Sequence, residues 1–210
     1  LSPEYTYNAE LGVSRYLEGY MRIDVVGFYT FINNAIVRTG YTLGGQDSLM
    51  YDGELYKIST NYNANRAHIY GTSLNLVSDF YTHVILRSSL NLTYGRNLSD
   101  DVPLGHIPPL FGRTSIRYRN EKFNVEGYFN YNGWKHLEDF SPYGEDNESE
   151  ATVFGYPSWW TANLKASYEI SSTFQVQLAV ENIFDQFYKP FASGVAAPGR
   201  NFIFTLRSHF

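Results

Sequence analysis

Apolar and polar residues alternate with a period of two along most of this chain. The clearest stretch is WTANLKASYEI, where Trp160, Ala162, Leu164, Ala166, Tyr168 and Ile170 fall on one face and Thr161, Asn163, Lys165, Ser167 and Glu169 on the other. Successive side chains of a strand point to opposite faces, so this pattern predicts a strand with one apolar and one polar side. The same alternation puts Val84, Leu86, Leu90, Leu92 and Tyr94 against Arg87, Ser89, Asn91 and Thr93. Phe123, Val125, Phe129 and Tyr131 stand against Asn124, Glu126, Asn130 and Asn132, and Phe174, Val176, Leu178 and Val180 against Gln175, Gln177 and Glu181. Met21, Ile23, Val25, Tyr29 and Phe31 oppose Arg22, Asp24 and Thr30, with Val26 and Phe28 blurring the pattern. In all, nine strands are predicted, near 7–16, 20–32, 65–78, 82–95, 110–119, 122–133, 160–170, 173–183 and 200–210.

The predicted connections also alternate. Leu17–Gly19, Asp79–Tyr81, Asn120–Glu121 and Ser171–Ser172 read as tight turns, and long loops fall near 33–64, 96–109, 134–159 and 184–199. A soluble sandwich has no reason to put every short turn at one end, whereas bacterial outer-membrane barrels do. Most of the strands are close to the 9–11 residues, roughly, that a tilted strand needs to cross a bilayer. No apolar run approaches the roughly 18 residues of a spanning helix, which excludes a helical membrane protein and leaves a β-barrel open. The polar faces carry Glu10, Arg22, Asp24, Arg87, Arg113, Arg117, Glu126, Lys165, Glu169, Glu181 and Arg207. They read either as the solvated side of a soluble sheet or as a wet lumen with cross-strand charge pairs. Tyr94, Phe123, Tyr131, Trp160, Tyr168, Phe174 and Phe210 lie toward strand ends, where interfacial girdles are expected, although aromatics are also good strand residues.

Composition narrows the chemistry. The net charge of −5 offers no basic footprint for nucleic acid. Cysteine is absent, which removes disulfides, thiolate catalysis and thiolate metal sites. The five histidines (His68, His83, His106, His136 and His209) show no paired spacing, and no nucleophile–base constellation is visible. The expectation is therefore a non-enzyme without a cofactor. The chain begins at Leu1 without a signal-peptide pattern and reads as part of a longer protein.

The C-terminal segment NIFDQFYKPFASGVAAPGRNFIFTLRSHF closely resembles the end of TonB-dependent outer-membrane receptors, in which N-[LI]-F-D-x-x-Y precedes a loop, G-R and a final alternating strand ending in Phe. Asn182, Ile183, Phe184, Asp185 and Tyr188 match the first part, and Pro198, Gly199, Arg200, Phe202, Phe204, Leu206 and Phe210 the second. The opening LSPEYTYNAELG is similar to the family's L-x-P-E-x-x-x-N-x-E-x-G stretch through Leu1, Pro3, Glu4, Asn8, Glu10 and Gly12. The resemblance implies an all-β, antiparallel up-and-down transmembrane barrel, of which residues 1–210 are about nine C-terminal strands of a total of about 22. It implies residence in the outer membrane of a Gram-negative bacterium, with membrane lipid around the barrel. It further implies import of a scarce small-molecule ligand (a siderophore, haem, cobalamin or glycan) with energy from the TonB complex. The plug domain and TonB box through which that energy arrives are absent from this chain. Phe210 would belong to the signal read by the barrel-assembly machinery. A passive porin or small adhesin-type barrel is the alternative, and a soluble sugar-binding sandwich comes third.

Ligand contacts are expected in the long loops. The stretch NGWKHLEDFSPYGEDNESEATVFGYPSWW offers Trp134, His136, Tyr143 and Trp159 as candidates for a ligand mouth. Its acidic run, Glu145, Asp146, Glu148 and Glu150, is open to three readings: a calcium site, a solvated loop, or carboxylates near the cations that bridge lipopolysaccharide. Haem ligation by His106 or His136 is a further reading of that end of the molecule.

Overall fold

The computed structural model describes residues 1–208; Phe210, the terminal residue of the C-terminal signature, lies outside them. Twelve strands follow in order: β1 (Tyr5–Leu17), β2 (Met21–Gly40), β3 (Ser48–Tyr51), β4 (Glu54–Lys57), β5 (Ser59–Tyr81), β6 (Val84–Asn97), β7 (Val102–Pro103), β8 (Phe111–Arg119), β9 (Phe123–Asn132), β10 (Trp159–Glu169), β11 (Phe174–Glu181) and β12 (Asn201–Ser208). Nine of them form one antiparallel up-and-down sheet in the order β1-β2-β5-β6-β8-β9-β10-β11-β12, with β7 paired to β6. These nine are the strands the alternation predicts. Among the described residues no second sheet packs on the apolar side, which removes the soluble sandwich.

The register carries one apolar face across the whole sheet. Leu11 sits opposite Gly27, Val25 opposite Leu74, and Leu74 opposite Leu90. Farther along, Trp160 sits opposite Tyr131, Ala166 opposite Leu178, and Leu178 opposite Phe204. That face is bare: Leu11 is 75% exposed, Leu178 59% and Phe204 66%. Buried positions on the other face are largely polar, among them Ser115, Thr161, Asn163 and Ser167. A soluble protein does not leave so large an apolar surface uncovered. The distribution is inside-out, as a barrel wall requires when lipid covers its outer side.

Dimensions agree. On β10 the outward residues run from Trp160 to Tyr168, eight steps of about 3.4 Å, or about 27 Å along the strand. A tilt of about 40° projects this to about 20 Å, close to the ~25 Å apolar band of such barrels. Aromatic pairs mark both rims: Phe123–Tyr168 (4.7 Å) at the short-turn end, and Phe129–Trp160 (6.2 Å) with Tyr70–Tyr94 (5.6 Å) at the other.

The polar face pairs its charges across strands. Glu126 accepts from Arg117 (3.2 Å) and Arg113 (3.5 Å). The Arg113 guanidinium also lies 3.9 Å from the centroid of the Tyr128 ring, whose hydroxyl donates to Glu181 (3.2 Å). Phe28, which blurred the alternation of β2, turns to this polar side and lies over Gly71, where a Cβ would come within 2.8 Å of its ring.

The short turns hold by local chemistry. The Asn120 side-chain oxygen accepts the amides of Lys122 (3.0 Å) and Phe123 (2.7 Å), and the Ser171 hydroxyl accepts those of Thr173 and Phe174 (3.2 Å each).

The predicted loop over 33–64 is a correction. β2 and β5 stay paired out to Gly40 and Ser59, and β3 and β4 form a further hairpin at the tip. Beyond Phe31 the β2 strand therefore continues for about 30 Å above the aromatic rim. The apolar/polar contrast disappears there because both faces leave the membrane, so alternation cannot report the pairing. Asp52-Gly53, with φ of 50° and 84°, is the hairpin-turn signal in that stretch.

Candidate functional site

All the long connections lie at one end of the sheet and fold into a cap. Its centre is an aromatic cluster from two different loops: Phe140 and Tyr156 stack at 5.9 Å, and Phe191 meets them edge-on at 6.2 and 5.7 Å. Lys135 is inserted beside it, 5% exposed, its ammonium 5.2 Å from the Phe191 ring centroid and 2.8 Å from the Ile107 carbonyl to which it donates. Burial pushes the Lys135 amine below its ordinary range, against the opposing pull of Asp146 and Asp139. Burial raises the Tyr156 hydroxyl, with Glu150 and Asp146 adding to the effect.

The acidic run is built into this cap. Asp146 is fully buried and accepts the backbone N–H of His106 (2.6 Å) on one oxygen and that of Ser141 (2.8 Å) on the other. It thereby joins the segment 98–110 to the segment 133–158. Glu145 accepts from the Ser141 hydroxyl (3.1 Å) and lies against Gly105, where a Cβ would meet its carboxylate at 2.5 Å. Only glycine leaves room for that contact. Glu150 pairs with Lys189 (3.0 Å), and the Asn147 amide donates to the Ala192 carbonyl (2.7 Å), so the third loop is tied in as well. Among the described residues no group of three or more acidic or histidine side chains converges on a metal position. The solvated-loop reading fails for Asp146, because backbone amides from two different segments take up both of its oxygens.

The four residues expected to form a ligand mouth do not share one site. Trp134 and His136 come together, with stacked rings 5.5 Å apart, and the Trp134 indole donates to the Phe154 carbonyl (2.8 Å). Trp159 lies under the cap against Tyr188 at 4.1 Å. Tyr143 faces a different cleft, of about 540 Å³, between the 133–158 loop and the base of the protruding hairpin. Its other walls include Tyr41, Thr42, Asp47, Lys57 and Ser59. This open cleft mixes a phenol pair with one charge of each sign, and its size is that of a small-molecule site. Nothing in residue spacing marks Tyr41 or Lys57 from the sequence, since they approach Tyr143 only through the extended β2–β5 pairing.

The C-terminal signature has a local physical account. The Asn182 side chain, 4% exposed, donates to the carbonyls of Gln186 (2.8 Å) and Pro198 (3.3 Å) and accepts the Gln186 amide (2.9 Å). Asp185 accepts the Arg200 backbone amide (2.7 Å), and the Arg200 guanidinium donates to the Ile183 carbonyl (2.8 Å). Gly199 passes so close to Asp185 that a Cβ would lie 2.5 Å from its oxygen. Phe184 lies on Trp160 at 5.6 Å, while Phe202, Phe204 and Leu206 continue the apolar face. N-I-F-D and G-R are thus the two halves of one clasp that returns the chain from β11 into β12.

A family model, TonB dependent receptor-like, beta-barrel, matches residues 1–183. No curated protein matches the sequence. Among solved structures, the copper transporter OprC is similar at a TM-score of 0.79 and 18% identity, over 100% of this chain and 32% of that one. The siderophore receptor PirA from Acinetobacter baumannii is similar at 0.73 and 20% identity, over 100% and 32%. A ferric enterobactin receptor (PfeA) from Pseudomonas aeruginosa is similar at 0.73 and 18%, over 99% and 31%. The chain therefore spans about a third of the length of the structures it matches.

Proposed function

The chain belongs to the TonB-dependent receptor family, as part of its β-barrel, and on that premise we propose that it is the C-terminal barrel portion of an active transporter. Members of this family are outer-membrane proteins of Gram-negative bacteria and transport receptors rather than enzymes. The transporter binds a scarce ligand at its outer end and draws energy from the TonB complex through a plug domain outside this chain. The observation that carries the reading is the inside-out sheet beneath a packed cap: lipid-facing apolar residues outside, paired charges inside, and loops tied together at one end only.

The similar structures include a copper transporter and siderophore receptors, which puts metal ions and metal chelates first among the ligands to test, ahead of haem, cobalamin and glycans. The cleft bounded by Tyr41, Lys57 and Tyr143 is the proposed contact point. The test is growth and uptake by a strain lacking the parent gene, across copper, ferric siderophores, haem, cobalamin and oligosaccharides. One substrate should fail to enter, and a TonB-deficient strain should fail on the same one. Uptake that persists without TonB, with unselective conductance in planar bilayers, would make the parent a passive porin.

A further inference from the structure

The wall is incomplete at one place. β8 pairs with β6 only up to Phe111 opposite Asn91, while β7 resumes the pairing at Arg96 and Asn97. Leu92, Thr93 and Tyr94 therefore have no ladder partner on that side before the Gly95 carbonyl accepts the Leu104 amide (3.1 Å), and a slot of about 510 Å³ opens between this stretch and the segments 107–110 and 133–135. Tyr70, Leu92, Tyr94, Pro109, Leu110 and Trp134 line it. Ile107 and Leu104 stand behind, close enough to Gly95 that a Cβ there would meet Ile107 at 2.7 Å.

The position and the chemistry identify the occupant. Tyr29, Tyr70 and Tyr94 are in register across three strands and form the aromatic rim of the apolar band, so the slot opens at the depth of the membrane interface. Its charged neighbours are already engaged: Arg96 with Asp101 (2.7 Å), and Lys135 with the Ile107 carbonyl (2.8 Å). With Asp139 also at the wall, the local charge is balanced, which gives no preference for an anionic headgroup. What remains is apolar wall, continuous with the lipid-facing surface, beside a strand edge that lacks its neighbour. An unfilled notch forfeits dispersion contacts, and unpaired backbone cannot face bare hydrocarbon. A lipid at this depth answers both, its chain on the apolar wall and its ester or amide carbonyls near the strand edge.

We propose that this slot is a specific binding site for one acyl chain of an outer-leaflet lipid, seated between β6 and the 107–110 segment. The inference rests on the barrel lying in the membrane and is independent of which ligand is transported. The test uses the full-length receptor in liposomes of phosphatidylethanolamine and phosphatidylglycerol, doped with a phospholipid carrying a diazirine near the carboxyl end of one chain. Labelled positions are mapped by mass spectrometry. Labelling at 92–95, 107–110 and 134 is expected to exceed that at the outward residues Leu178 and Phe204 at least 5-fold. Leu110→Arg should bring it down to their level and leave Phe204 unchanged. If that variant does not assemble, Leu92→Trp, which fills the slot with an apolar ring, should do the same. Equal labelling around the barrel would mean annular lipid only and would overturn the site. So would modification of a cysteine placed at Leu110 by a water-soluble reagent as fast as one placed at Val153.

Discussion

Replacing Asp146 by alanine in the full-length receptor removes one carboxylate and leaves two backbone amides, those of His106 and Ser141, without an acceptor inside the cap. A hydrogen bond to a charged group contributes about 1.5–3 kcal/mol. Two such bonds, less what entering water recovers, put the cost at about 3 kcal/mol. Because the carboxylate joins segments 40 residues apart, the cost falls on the docking of one loop against another and leaves the strands alone. Where reclosing outpaces exchange, 3 kcal/mol corresponds to a rise of about 100-fold in amide hydrogen exchange over 104–110 and 137–147. Amides of the β9–β10 ladder should not change. Asp146→Asn keeps one acceptor oxygen and should show about a 10-fold rise. Exchange at 104–110 that moves less than about 3-fold in the alanine variant, with the cap still folded, would refute the structural role given to this acid.

Four further outcomes are expected. On the outer face, Leu178→Lys should destabilise the assembled barrel by about 2–4 kcal/mol, read by denaturant unfolding in lipid, whereas Gln177→Lys, one residue away on the polar face, should change little. Gly199→Ala should destabilise the β11–β12 return by about 1–3 kcal/mol, because its methyl must displace the Asp185 carboxylate from Arg200; Asp185→Ala should relieve most of that penalty in the double variant. Lys135 is held below its ordinary range by burial, so the opened cap binds more protons than the closed one between the depressed value and the ordinary one. Cap stability should therefore rise with pH through that window and be weakest below it, and Lys135→Met should flatten the dependence, measured as exchange corrected for the intrinsic rate. Finally, Tyr143→Ala and Lys57→Ala should weaken ligand binding about 10-fold without altering exchange in the cap, if the cleft between them contacts the transported molecule.

Reading the sequence reached the fold because the membrane imposes a period that every spanning strand must obey. Trp160 to Tyr168 alternate since each outward residue meets lipid and each inward one meets a wet, charge-paired surface, and that contrast is written locally. The signature residues Asn182, Asp185, Gly199 and Arg200 were equally visible, because they sit within 20 residues of each other and form one clasp. Above the membrane the contrast ends, and with it the signal. β2 and β5 continue as paired strands through residues that read as loop, and only the Asp52-Gly53 turn betrays the hairpin beyond them. The acidic run looked like a cation site or a solvated loop, yet Asp146 is a buried acceptor for an amide 40 residues away. Trp134 and His136 stay together, but Tyr143 and Trp159 of the same stretch part from them in space, while Lys135, unmarked by any spacing, ends between Phe191 and Ile107. Which face each strand residue takes follows from the chain alone, because the solvent on either side is chosen one residue at a time. Which loop residues meet is decided only by the tertiary structure, because the carboxylates and rings of the cap find their partners on other loops, which the sheet brings together from distant parts of the sequence.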